Sequence, residues 1–122
     1  WYKANWTTTS SVPCSWLCVN NKVTYLPVNK RDVAMWISGN ISVNNSSRTL
    51  GIAIVKNGVT STRYGETTLR TTSSSSNQPY QFSTVVYLED VAPGDYFELY
   101  LTSTTSSDVV KVIDVNWYSD SK

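Results

Sequence analysis

A chain of 122 residues with a net charge of +1 and only 16% charged residues is long enough for one domain with a real core. Its scattered basic residues offer no surface for nucleic acid or an anionic membrane. Histidine is absent and cysteine occurs twice, which removes Ser-His-Asp and Cys-His catalysis, histidine metal sites and a cysteine zinc tetrad.

No apolar run approaches 18 residues, and no phosphate-binding glycine loop appears. Serine and threonine make up 33 of the 122 residues. Low charge with many hydroxyls and aromatics is the texture of an exposed, durable surface such as a virion, a spore coat or a secreted protein. The chain begins at Trp1 rather than Met, as expected of a processed chain or an excised domain.

Residues 1–21 hold Trp1, Trp6 and Trp16 and read as an N-terminal segment that docks on the domain or joins it to an upstream stalk. Residues 22–122 read as the domain proper. Cys14 and Cys18 lie roughly 13 Å apart in an extended strand. A tight turn would bring them within disulfide reach; the other reading is two buried thiols.

Lys22–Val28 is a short strand, confined to an edge or a strand end by Pro27. Asp32–Val43 alternates cleanly, with Val33, Met35, Ile37, Ile41 and Val43 on one face and Ala34, Trp36, Ser38, Asn40 and Ser42 on the other. Gly39 interrupts the apolar side, which marks a bulge or a close approach. Leu50–Lys56 is the next strand. Asn57-Gly58 after it predicts a two-residue hairpin turn, returning from about Val59. A weaker strand covers Glu66–Thr71.

Gln81–Thr104 reads as a hairpin joined at Ala92-Pro93-Gly94-Asp95. Phe82, Val86 and Leu88 share one face of its first strand. Phe97, Leu99 and Leu101 share one face of the second, with Tyr96, Glu98 and Tyr100 opposite. Val109–Tyr118 closes the chain as a strand whose faces are less cleanly split. About eight short strands punctuated by turns, with no helical period, predict an all-β antiparallel two-sheet sandwich or jelly roll.

From Asp32 onward, the order of features resembles the jelly-roll head of the tumour necrosis factor and complement-globular-head superfamily. The matching pieces are DVAMWISGNISV, LGIAIVKNG, FSTVVYLEDV, PGDYFELYL and VIDVNWY. The run Gly94-Asp95-Tyr96-Phe97-Glu98-Leu99-Tyr100-Leu101 is the most characteristic. In texture the chain is similar to the trimeric knobs of bacteriophage tail needles and fibres. The resemblance leaves residues 1–21 unmatched.

It implies that Val33–Val43, Asp95–Thr104 and Val109–Tyr118 lie together in an inner sheet. Val33, Met35, Ile37, Phe97, Leu99, Leu101, Ile113 and Val115 would then face the core. Trp36, Tyr96, Glu98, Tyr100, Asn116 and Tyr118 would face a homotrimer axis, with Glu98 paired to Lys111, bonded to a backbone donor of the next subunit, or wet at the rim. It also implies a virion location at a tail tip and contact with a host cell-surface component or glycan. The loops expected to make that contact carry Asn44, Asn45, Ser46, Ser74, Ser75, Asn77, Gln78, Thr105 and Ser106.

Two other readings stand beside this one: a monomeric carbohydrate-binding module, and a secreted cytokine-like receptor ligand. Glu89, Asp90, Asp95 and Glu98 are the only clustered acids, and neighbours on a strand point to opposite faces. No enzyme activity, metal or cofactor is expected. The four N-x-S/T sequons, at Asn5, Asn40, Asn44 and Asn45, are about what this composition yields by chance.

Overall fold

The computed structural model describes residues 2–3, 16–19, 22–25, 29–45, 47–71, 78–105 and 108–121, with the backbone alone described at 2, 16–19 and 121. Its strands are β1 (Tyr2–Lys3), β2 (Trp16–Val19), β3 (Lys22–Tyr25), β4 (Arg31–Val43), β5 (Thr49–Lys56), β6 (Arg63–Arg70), β7 (Tyr80–Val91), β8 (Tyr96–Ser103) and β9 (Val110–Ser121). They form an all-β sandwich of two antiparallel sheets. One sheet is six-stranded, in the order β2-β3-β8-β5-β6 with β1 also on β8. The other is three-stranded, in the order β7-β4-β9.

The predicted alternation sets the core. Val33, Met35, Ile37, Ile41 and Val43 of β4 are buried against Leu50, Ile52 and Ile54 of β5 and Phe97, Leu99 and Leu101 of β8. In β7 burial alternates from Gln81 to Glu89, with Phe82, Thr84, Val86 and Leu88 inside and Gln81, Ser83, Val85 and Tyr87 outside. Each fully buried aliphatic or aromatic side chain stabilises by roughly 1.5–3 kcal/mol, so this inner layer outweighs any single polar contact on the surface.

Three expectations are corrected. First, Gln81–Thr104 is not a hairpin, because β7 and β8 belong to different sheets. The turn between them is captured by other elements. Gly94 N–H donates to the Tyr25 carbonyl at 2.9 Å, and Tyr25 N–H donates to the Asp95 carbonyl at 2.9 Å. Asn57 Nδ2 donates to Asp95 Oδ1 at 3.0 Å, and Tyr96 N–H donates to Asn57 Oδ1 at 2.9 Å. These bonds seat β8 between β3 and β5, so it does not join β4 and β9 in an inner sheet.

Second, the Asn57-Gly58 turn forms as predicted, with φ of 54° and 74°, and Val59 N–H donates to the Lys56 carbonyl at 3.1 Å. The return strand nevertheless starts at Arg63, after a further turn through residues 59–62.

Third, Ile113 is 53% exposed and not in the core. Asn40 pairs with Asp114 and Ile41 with Val112, so Ile113 is the extra residue of a β-bulge. The bulge reverses the phase of β9, turning Val110, Val112, Val115 and Trp117 towards the core. Gly39 is what admits it: a Cβ there would lie 2.1 Å from the Asp114 carbonyl oxygen.

One edge of the sandwich is closed by β6 on β7. Gly65, at φ +62°, lets Thr84 approach so closely that its hydroxyl donates to the Gly65 carbonyl at 2.7 Å. Cys14 and Trp6 lie outside the described residues. Cys18 and Trp16 belong to β2, opposite Val23 and Tyr25.

Candidate functional site: an aromatic face on the three-stranded sheet

The outer face of β7-β4-β9 is built by the residues that alternation directs away from the core. Its pairing gives four rows across the strands: Tyr87–Ala34–Asp120, Val85–Trp36–Tyr118, Ser83–Ser38–Asn116 and Gln81–Asn40–Asp114. At a rise of roughly 3.4 Å per residue, the rows extend over about 20 Å.

The middle of this face is apolar and open to solvent. Trp36 is 43% exposed, Tyr118 59%, Val85 60% and Tyr87 58%. The Trp36 and Tyr118 rings stand 5.4 Å apart with an interplanar angle of 47°, within the range in which aromatic pairs attract. Charge is confined to the margins. Asn40 Nδ2 donates to both carboxylate oxygens of Asp114, at 3.1 and 3.2 Å. The Tyr87 hydroxyl donates to Asp32 Oδ2 at 3.1 Å, and that carboxylate holds the phenol above its ordinary pKa.

Of the six residues expected at one seam, Trp36, Asn116 and Tyr118 are brought together here. Tyr96, Glu98 and Tyr100 are not, because β8 carries them on the outer face of the opposite sheet. There Lys22 Nζ sits 4.2 Å from the Tyr96 ring centroid, a cation–π contact. Glu98 is buried, and its partner is Lys3, with Nζ 2.7 Å from Oε2, rather than Lys111 or a neighbouring chain. Sequence reasoning missed Val85 and Tyr87. Their alternation with Val86 and Leu88 was the available signal.

The same outer face of the six-stranded sheet carries a groove of about 270 Å³ floored by Gly51 and lined mainly by threonines, with Glu66 on one wall.

Through their described residues, two of the loops expected to meet a receptor, those around Asn44–Asn45 and around Ser103–Asp108, are joined in a network at one end of the sandwich. Arg48 Nε donates to Asp108 Oδ2 at 2.7 Å, the Ser103 hydroxyl donates to the same oxygen at 2.6 Å, and Asn45 Nδ2 donates to Asp108 Oδ1 at 3.0 Å. Val109 N–H donates to Asn44 Oδ1 at 2.9 Å. Asn44 and Asn45 are thus engaged in joining the β4–β5 and β8–β9 connections. The Ser103 hydroxyl, with Asn45 and Arg48, holds the Asp108 carboxyl below its ordinary pKa. Thr105 accepts from Asp108 N–H through its carbonyl at 3.1 Å, and Gln78 is exposed. Ser46, Ser74, Ser75, Asn77 and Ser106 lie outside the described residues.

Asp95 is likewise a turn residue, taken up by Ala92 N–H, Asn57 and Lys56. Among the described residues no group of three or more His, Cys, Asp or Glu side chains could hold a metal ion, and no helix is long and apolar enough to cross a membrane.

No family model matches the chain, and no curated protein matches it. Among solved structures, one titled "CBM4 structure and function" is similar at 13% identity and a TM-score of 0.41, over 89% of this chain and 80% of that one. A likeness at that level carries nothing about function.

Proposed function

We propose that this domain is the self-associating head of a fibre-like protein, and that copies of the chain meet through the outer face of the three-stranded sheet. The observation that carries this reading is the distribution on that face. The row Val85–Trp36–Tyr118 is apolar and exposed, while the carboxylates Asp114 and Asp120 stand at the ends of the outermost rows. An apolar, aromatic centre with charge at the rim is the anatomy of a protein–protein interface core. Exposed aliphatics such as Val85 and Ile113 fit a dry contact between chains and offer nothing to a polar ligand.

The number of copies, three, and the setting, a knob at a virion tail tip that meets a host surface, come from the sequence resemblance to trimeric jelly-roll heads. In that assembly Trp36, Tyr118, Val85 and Tyr87 line the seam. Tyr96, Glu98 and Tyr100 lie outside it. Sedimentation equilibrium of the isolated domain tests the reading. A mass three times 13.6 kDa is expected, and loss of that mass in Trp36→Ala with the fold intact locates the seam.

A second reading, a carbohydrate-binding module, is favoured by one observation. Trp36 and Tyr118 are exposed side by side next to Ser38 and Asn116, a pairing of ring faces and hydrogen-bonding groups that suits a sugar. A monomer whose tryptophan fluorescence changes on titration with oligosaccharides would select it over self-association.

A further inference from the structure

The groove on the six-stranded sheet goes beyond the self-association reading and stands or falls apart from it, because it lies on the opposite side of the sandwich. Thr68, Gly51 and Thr102 form one row across β6, β5 and β8. Thr49 and Thr104 stand at the next row, joined by the Thr104 N–H bond to the Thr49 carbonyl at 3.1 Å. Gly51 has no side chain, so the row sinks at its centre and the flanking threonines become walls. Glu66 closes one side and is held by Arg63.

From this lining we infer that the groove is a binding site for one unit of a neutral sugar. Each threonine offers a methyl group and a hydroxyl that both donates and accepts, which matches a ring that presents C–H and O–H groups together. The Glu66 carboxylate is an acceptor able to take two adjacent hydroxyls. Among the described residues no lysine, arginine or aromatic side chain lines the groove, so neither an anionic ligand nor a stacked base is matched. A volume of about 270 Å³ falls just below the range of roughly 300–1,000 Å³ typical of drug-sized ligands, which selects a single sugar unit over a longer chain segment. The concentration of threonine in this sequence acquires a role here beyond strand preference.

The test is an NMR titration of the complete ¹⁵N-labelled chain with glucose, galactose, mannose and N-acetylglucosamine, each into the high millimolar range. At least one sugar is expected to shift the amides of Gly51, Thr68 and Thr102. Thr102→Val, which keeps the shape and removes the hydroxyl, and Glu66→Gln, at an exposed position, are each expected to weaken binding roughly threefold to tenfold. The inference is overturned if no sugar shifts these amides, if the shifts fall instead on Trp36 and Tyr118, or if both variants bind as the parent does.

Discussion

Lys3 Nζ lies 2.7 Å from Glu98 Oε2, on a carboxylate whose side chain is only 6% exposed. The pair joins the first strand of the chain to the centre of the six-stranded sheet, since Lys3 is in register with Tyr100 of β8. Removing the lysine strands a buried charge, which costs roughly 3–5 kcal/mol in fully buried pairs. Lys3 is itself about a third exposed, so Lys3→Met is expected to cost less, roughly 2 kcal/mol. Urea denaturation reads this as a lower midpoint at unchanged slope. The double variant Lys3→Met with Glu98→Gln should recover part of the loss.

The bulge in β9 depends on Gly39. A Cβ at 2.1 Å from the Asp114 carbonyl oxygen meets backbone, which cannot rotate away. Gly39→Ala is therefore expected to destabilise by roughly 2–3 kcal/mol, as overpacked cores do. Gly94→Ala is the contrast. Nothing lies within 4 Å of its added Cβ, and only its φ of +89° resists, so a loss of about 1 kcal/mol is expected. Equal losses at the two glycines by thermal denaturation would contradict this account of the bulge.

How far the sequence reveals this fold follows from where the information sits. Alternation within β4, β5, β7 and β8 is local, and the inward residues of each were legible. Alternation never says which sheet a strand joins. That choice is made for β8 by Tyr25, Lys56 and Asn57, which bind the turn before it across 38 to 70 positions of sequence. The split of Tyr96, Glu98 and Tyr100 from Trp36, Asn116 and Tyr118 was therefore invisible to pattern reading. In β9 the blurred faces and the odd Gly39 were two traces of one bulge, and only their pairing shows that Ile113 is the extra residue.

Acid should loosen the end of the sandwich organised by Asp108. Its folded pKa is depressed, chiefly by the Ser103 hydroxyl and further by Asn45 and Arg48. A depressed carboxylate contributes stability that is present above its unfolded value, near ~4, and is lost as pH falls through the lower folded value. For Asp95, burial acts upward, but Asn57, Ala92 N–H and Lys56 together bring the net shift down, so the sign is the same. The melting temperature is expected to be flat near neutrality and to fall below about pH 4. Asp108→Asn should lower the plateau and shallow the acid limb. An unchanged acid limb in that variant would remove Asp108 from the account.

The face carrying Trp36 and Tyr118 makes a paired prediction. Truncating an aromatic at the centre of an interface typically costs ~2 kcal/mol or more of association, about thirtyfold in affinity. Both residues are exposed in the single chain, so Trp36→Ala and Tyr118→Ala should change folding stability by only about 0.5 kcal/mol. Tyr100→Ala, on the opposite sheet, is expected to leave association unchanged. Size-exclusion chromatography with light scattering separates these effects.

The measurement that bears most directly on the central claim is the mass of the isolated domain by sedimentation equilibrium at micromolar concentration, for the parent and for Trp36→Ala. The parent is expected to sediment as a species of three times 13.6 kDa, and the variant as a folded species of 13.6 kDa. A parent that sediments at 13.6 kDa, or a variant that keeps the parent's mass, would contradict the claim.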